Sequence, residues 1–444
     1  MKNIFFLLAL FVFFSNSTYA QQNLDKLIQE ELPSLVSTYQ KLHANPELSH
    51  KEEKTSTFVA EQLRKLGYEV TERVGKYDRP ELIGYGIVAL LKNGSGPTVL
   101  IRSDMDGLPI EEKTGLTFAS KAKMKNDLGE DVFVMHGCGH DIHMTSFLGT
   151  AKMLAALKDQ WRGTVMLVGQ PAEERGTGAK AMLNDGLYTR FPKPNYVLAL
   201  HDSANLEAGK VGYTEGFSLA NVNSVNITVR GVGGHGAYPQ TTKDPVVLAA
   251  QIVLALQTIV SRENSPLDPA VVTVGSINGG TKHNIIPDEV KLQLTVRTYK
   301  EEVRKKVLSS IERITKGIAI AAGIPDNRLP IVEVVETEFT PATFNNPELS
   351  RRISSVFERT LGKDNVVKTD PVMGGEDFGR FNLNDQIPGF IFWLGAVEPS
   401  KVAKSRAEGT PLPSLHSSQF APMTEPTIFT GVKAMTLAAL ELLK

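Results

Sequence analysis

The feature that most restricts what this 444-residue chain can fold into is a change of hydrophobic texture near Asn221 and its reversal near Pro341. Before Asn221, short apolar runs bounded by turn residues alternate with helical spacing. The runs are "GIVALL" at 86–91, "TVLIR" at 98–102, "TVMLVG" at 164–169 and "YVLALH" at 196–201; the helical stretches lie near 145–157 and 179–183. Strands apolar on both faces and separated by helices point to a mainly parallel sheet covered on both sides. Two helices precede them, with apolar residues such as Leu27, Ile28, Leu35, Phe58 and Leu63 at helical spacing and a break at Asn45-Pro46. After Asn221, "SVNITVRG" alternates apolar and polar, as a strand with one wet face does. A helix at 245–260, the strands "AVVTVGSING" and "EVKLQLTVRT", a helix over about 301–322 and "PIVEVVE" complete a βαββαβ order, the layout of a ferredoxin-like unit. A helix at 347–361, the strand "GFIFWLG" and a helix at 427–443 then restore the first texture. The expected fold is α/β: a larger domain with a mixed, mainly parallel sheet flanked by helices, from 21–220 and 339–444, with a ferredoxin-like βαββαβ lid inserted at 221–338.

The first residues, "MKNIFFLLALFVFFSNSTYA", carry one lysine, an apolar run at 4–14 and small polar residues up to Ala20. A spanning helix would need about 20 apolar residues, so 1–20 reads as a secretory leader cleaved near Ala20. No later segment reads as apolar for long enough to cross a bilayer. An exported chain meets oxidising conditions, yet one cysteine cannot form an internal disulfide. Cys138 is therefore inert in a core, paired with another chain, or a metal ligand. A net charge of -1 without a long basic run argues against nucleic acid or an anionic membrane as the main partner, and for a small molecule or peptide.

Four clusters stand at the ends of expected strands, where α/β sheets place their sites. "TVLIR" runs into Asp104 and Asp106, whose i, i+2 spacing in extended chain aims both carboxylates one way; such a pair invites a cation or caps a turn. "VMHGCGHDIHM" sets Cys138 and His140 two residues apart between glycines that permit an unusual backbone path, and thiolate with imidazole suits zinc. His136, Asp141 and His143 then read as supporting or helix-start residues. "LVGQPAEERGTGA" carries Glu173 and Glu174, which in extended chain point to opposite sides: one to a metal and one to substrate, or both to a helix dipole. His201 and His416 are single histidines, each unremarkable alone. With Cys138, His140 and a glutamate they make five donors, more than one four-coordinate metal needs, so two metals become plausible. "VRGVGGHGAYP" places Gly231, Gly233 and Gly236 in a GxGxxG spacing. The loop "QTTKD" before the helix and the missing ribose-binding acid reject a dinucleotide site. His235 in that loop and Asn284 in "HNIIPD" are instead candidate hydrogen-bond donors to a reacting group. Arg297, ending a strand, is either a clamp for a substrate carboxylate or an exposed arginine.

The stretches "LHANPELSHKE", "RSDMDGLPI", "MHGCGHD", "GQPAEERGTGA", "GVGGHGAYP", "GGTKHNIIPD", "GGEDF" and "LHSSQF" stand in the order, and at roughly the spacing, seen in the aminoacylase and carboxypeptidase family of metallohydrolases. The chain resembles its amidohydrolase branch, with hippurate and auxin-conjugate hydrolases, over essentially all residues after the leader. The resemblance implies two divalent metal ions, zinc or manganese with cobalt or nickel also compatible, held by Cys138, His140, Glu174, His201 and His416. It makes Glu173 the general base and Asp106 a residue that orients a ligand. Asp104 departs from the pattern, since other branches carry a histidine ligand there. The family's lid domain supplies its histidine across a dimer interface, here His235; in the implied mechanism, His235 with Asn284 is the candidate donor to the oxyanion, and Asn284, Arg297 and Gly375 are candidate substrate contacts. The implied activity is hydrolysis of the amide bond of N-acyl amino acids of the hippurate or N-acetyl kind. A di- or carboxypeptidase is the alternative inside the family, and a non-catalytic ligand-binding protein the alternative outside it. The implied partners are that small molecule or a short peptide, and a second copy through the lid domain. The expected location is periplasmic or secreted.

Overall fold

The computed structural model describes residues 2–444, with side chains from 23 onward; the expected leader at 1–20 lies outside the described side chains. In chain order the elements are α1 (Lys2–Ala44), α2 (Glu53–Lys65), β1 (Glu69–Val74), β2 (Gly86–Asn93), β3 (Thr98–Asp104), α3 (His140–Ala156), β4 (Gly163–Gln170), α4 (Gly178–Asn184), β5 (Tyr196–Glu207) and β6 (Val211–Tyr213). There follow β7 (Asn221–Arg230), β8 (Gly234–His235), α5 (Pro245–Thr258), β9 (Ala270–Asn278), β10 (Ile285–Ile286), β11 (Glu289–Thr298), α6 (Glu301–Ala321) and β12 (Ile331–Val334). The chain closes with α7 (Pro347–Leu361), β13 (Val366–Lys368), β14 (Gly389–Val397) and α8 (Thr424–Leu442). It divides into a larger unit, Met1–Gly216 with Phe344–Asp370 and Phe378–Lys444, and a smaller one, Phe217–Thr343 with Pro371–Asp377.

The larger unit is built on an eight-stranded sheet in the order β1-β2-β4-β3-β5-β14-β6-β13. Its centre, β4-β3-β5-β14, is parallel throughout. β1, β2 and β4 pair antiparallel on one side, and β14 meets β6 antiparallel on the other. The parallel strands are buried along most of their length, as their continuous apolar runs require. The core gathers Val99, Ile101, Leu167, Leu198, Phe390 and Phe392 from the sheet with helix residues including Phe147, Leu154, Phe357, Ile428 and Met435. Helix α1 adds Leu24, Ile28, Leu32, Leu35, Tyr39 and Leu42, a stripe at three- and four-residue intervals, all buried. Each such large side chain contributes ~1.5–3 kcal/mol when fully buried.

The smaller unit is a four-stranded antiparallel sheet in the order β9-β11-β7-β12. This is the ferredoxin-like order the alternation implies. Along β7 every second residue is buried, and Val225, Ile227 and Val229 meet Leu248, Ile252 and Leu256 of α5 and Val303, Val307 and Ile311 of α6. Gly231 explains the GxGxxG spacing, since a Cβ there would lie 2.2 Å from the Lys243 carbonyl oxygen. The glycine serves close backbone approach rather than a phosphate. One expectation is corrected here: Pro245–Glu263 is, by length and composition, apolar enough to cross a membrane. The helical path continues past α5 through Ile259–Glu263, lengthening the apolar run. Leu248, Ala249, Ile252 and Leu256 are buried in the core, while Val246, Val247 and Leu254 are exposed. That apolar outer side hides the amphipathic contrast.

Candidate active site

The carboxyl ends of the parallel strands bring the chemistry together. Asp104 closes β3, Gln170 closes β4 and His201 lies within β5, while His140 opens α3. Gly139 caps that helix with φ +78°, and a Cβ on it would sit 2.0 Å from Asp202 Oδ2, so only glycine fits. This turn delivers Cys138 and His140 to the same point. Cys138 Sγ lies 3.6 Å from His201 Nε2 and 3.2 Å from His416 Nε2. His416 Nε2 is 3.5 Å from Glu174 Oε2, and His140 Nε2 is 3.9 Å from both Glu174 Oε1 and Glu173 Oε2.

Hydrogen bonds decide which nitrogens face inward. His140 donates through Nδ1 to the Asp106 carbonyl oxygen at 2.8 Å, and His201 through Nδ1 to the Asp202 carbonyl oxygen at 2.8 Å. Both rings therefore present an Nε2 lone pair to the cluster. His140 Nε2 and Glu174 Oε1 are buried and have no hydrogen-bond partner among the described residues. Two orphaned donors 3.9 Å apart, beside a sulfur and two further imidazole nitrogens, suit borderline divalent cations. Burial, with the nearby Glu174 carboxylate, pushes the Cys138 thiol up. Burial, reinforced by Asp106 and Asp104 and partly offset by His140, pushes Glu174 up to about 7.

Asp106 organises this centre without pointing a spare oxygen at it. Its carboxylate accepts from the Ser49 hydroxyl at 2.6 Å and from the amides of Glu173 and Glu174 at 3.1 and 3.0 Å. Although burial alone would raise its pKa, hydrogen bonds from His140, the Ser49 hydroxyl and the Glu174 amide hold Asp106 low. Asp104 bonds to Arg102 Nη1 at 2.6 Å and His143 Nδ1 at 2.7 Å, and its Oδ2 also lies 3.7 Å from His140 Nε2.

Five expected donors, Cys138, His140, Glu174, His201 and His416, thus meet in the larger unit with Glu173 and Asp106 beside them. His143 is a support, while both nitrogens of His136 are buried without a hydrogen-bond partner among the described residues, and burial lowers its pKa to about 4. In the smaller unit, β8 pairs with β10 and the Gly236 amide donates to the Asn284 carbonyl at 2.9 Å, so His235 and Asn284 are neighbours. Arg297 and Gly375 also meet: Arg297 Nη1 donates to the Met373 carbonyl at 3.0 Å, and a Cβ on Gly375 would lie 3.7 Å from that nitrogen. Sequence reasoning gave no role to Asp202, Glu52, Glu112 or His43; Asp141, read there as a supporting or helix-start residue, forms a buried set with Glu112 and His43. In that set His43 bridges the two carboxylates at 3.0 and 2.7 Å, and their pull outweighs burial to raise it to about 10. Asp202 was signalled only by following His201; the other contacts join segments 69 and 98 residues apart.

An open α/β sheet with such a centre at its carboxyl edge is the plan of a metal-type catalytic site. Residues 100–418 match the family described as peptidase family M20/M25/M40. The chain belongs to that family. It is 36% identical to thermostable carboxypeptidase 2 of Saccharolobus solfataricus over 92% of this chain and 95% of the relative. It is 39% identical to the hippurate hydrolase of Campylobacter jejuni over 77% of this chain and 82% of the relative. Among solved structures, the Bacillus subtilis YXEP protein, a dinuclear metal binding peptidase from the M20 family, superposes with a TM-score of 0.73 at 28% identity, covering 94% of this chain and 99% of that one.

Proposed function

We propose that the protein is an exported, metal-dependent amidohydrolase that cleaves the amide bond of N-acyl amino acids. The observation that carries this reading is the convergence of Cys138, His140, Glu174, His201 and His416, with Glu173 Oε2 3.9 Å from His140 Nε2. Relatives named hippurate hydrolase and N-acetyl-L-cysteine deacetylase support the substrate class. The leader-like composition of 1–20 supports export.

The five donors would hold zinc or manganese, which would supply Lewis acidity of the kind that lowers the pKa of water from about 15.7 towards 7. Glu173 accepts the proton of the attacking water, keeps it on its carboxyl, and returns it to the departing amine nitrogen. His235, with Asn284 beside it, is the proposed donor to the oxyanion; losing such a donor typically costs about a hundredfold to a thousandfold in rate. Arg297, with Gly375 adjacent, is the partner of the substrate carboxylate. Hydrolysis screens with N-acetyl and N-benzoyl amino acids and dipeptides, with metal analysis of the same sample, test the reading. Cleavage of dipeptides alone would move it to the carboxypeptidase alternative, which the 36% identical carboxypeptidase favours.

Protons compete with the cations. With Glu174 at about 7 and the Cys138 thiol raised, the empty ligand set holds protons in mildly acidic solution that binding must release. We expect apparent zinc or manganese affinity to weaken by at least about tenfold from pH 8 to pH 6, read by competition with a coloured chelator. A flat profile contradicts the assignment.

The smaller unit supports a homodimer. β9 is an edge strand with Ile277 exposed, and α5 exposes Val246, Val247 and Leu254. Light scattering should give twice the chain mass, and Leu254→Glu combined with Ile277→Lys should give a monomer.

A further inference from the structure

The loop that carries Glu173 and Glu174 is tied down by a segment to which sequence reasoning gave no role in the site. Three consecutive amides of the loop each meet a carboxylate oxygen. The Ala172 amide donates to Glu52 Oε1 at 2.7 Å, and the next two donate to the two oxygens of Asp106 at 3.1 and 3.0 Å. Successive backbone N–H groups turned to one side make an anion-binding concavity, here filled by the chain's own acids. The turn that allows this is strained: Ala172 has φ +49°, in the left-handed region that a residue with a Cβ rarely enters.

Glu52 is wholly buried at the N-terminus of α2. Burial, with the negative charge of Asp106 close by, pushes its carboxyl well up. The surrounding segment is woven into the same loops. The Glu47 carbonyl accepts from the Gly107 amide at 2.7 Å, and the Ser49 hydroxyl donates to Asp106 at 2.6 Å. Segment 47–52 therefore supports both acidic loops of the centre.

We propose that Glu52 is a positioning residue: by accepting the Ala172 amide it holds the strained turn that aims Glu173 at the reacting water. This rests on the assignment of Glu173 as base. Without the acceptor the turn relaxes, and Glu173 moves relative to the cation ligands, which Asp106 still orients through His140 and the Glu174 amide.

The test uses the full, metal-loaded chain with Glu52→Met, which fills the volume but offers no acceptor, and Glu52→Gln, which keeps one. Glu52→Met should lower kcat about a hundredfold, the usual effect of displacing a catalytic group by about 1 Å, with KM and bound metal unchanged. Glu52→Gln should stay within about threefold of the parent, because the amide keeps its partner. Amide hydrogen exchange across 170–176 should speed up in the methionine variant alone. Unchanged kcat in Glu52→Met, equal losses in both variants, or loss of bound metal with the methionine overturns the proposal. Should Glu52→Met fail to fold, Glu52→Asp, whose carboxyl stops one methylene short of the amide, carries the same test. A parent protein inert towards every N-acyl amino acid and dipeptide would instead defeat the functional reading, and the exchange measurement alone then decides the role of Glu52.

Discussion

Glu173→Ala is expected to keep its bound metal and lose about a hundredfold to ten-thousandfold in kcat for an N-acyl amino acid, the range that a positioned proton-transfer group supplies. The two adjacent glutamates both lie 3.9 Å from His140 Nε2 but differ in their other partners. Glu174 reaches towards His416 Nε2 at 3.5 Å and carries an orphaned buried oxygen. Glu173 Oε2 lies 3.9 Å from His140 Nε2, while its amide is fixed by Asp106. Removing its carboxyl takes away a proton carrier and leaves the five donors in place. Glu174→Ala should do the opposite first and lower metal content. The pair of variants, assayed for kcat and for metal per chain, separates the roles; a metal-loaded Glu173→Ala enzyme that still turns over would remove Glu173 from the base position.

The second large effect is expected from chelation. Dialysis against a strong chelator should abolish turnover, and zinc or manganese should restore it. The argument is chemical. A thiol pushed up by burial, a carboxyl at about 7 and a histidine nitrogen with no partner form a poor set of neighbours until a cation satisfies them together. The Lewis acidity that ionises water near neutrality has no substitute among the described side chains. Turnover that survives a chelator, with metal analysis showing none bound, would contradict the metal reading.

Much of this was legible in the sequence, and the reason is local. The central strands are buried on both faces, so "TVLIR" and "TVMLVG" announce themselves by continuous apolarity, and the smaller unit by alternation. The candidate donors were legible because loop chemistry at strand ends is compressed into short motifs. What escaped lacks such a signature. β1 is an edge strand whose Glu69, Glu72 and Arg73 leave it mostly wet, and β6 and β13 are three residues each, too short for a period to show. The apolar outer side of α5 concealed how far that helix's apolar run extends. Glu52 was invisible for a different reason: its partner is a backbone amide 120 residues away, and no spacing rule reports a side chain's reach to a distant main chain.

Cys138 and His416 meet although 278 positions separate them. A nascent chain lacking its last few dozen residues would hold only an incomplete claw, unable to grip an ion firmly. Loading would therefore await residues as far as His416, and an ion held there would clasp early and late parts of the larger unit. Stripping it should loosen the end of the chain before the sheet gives way.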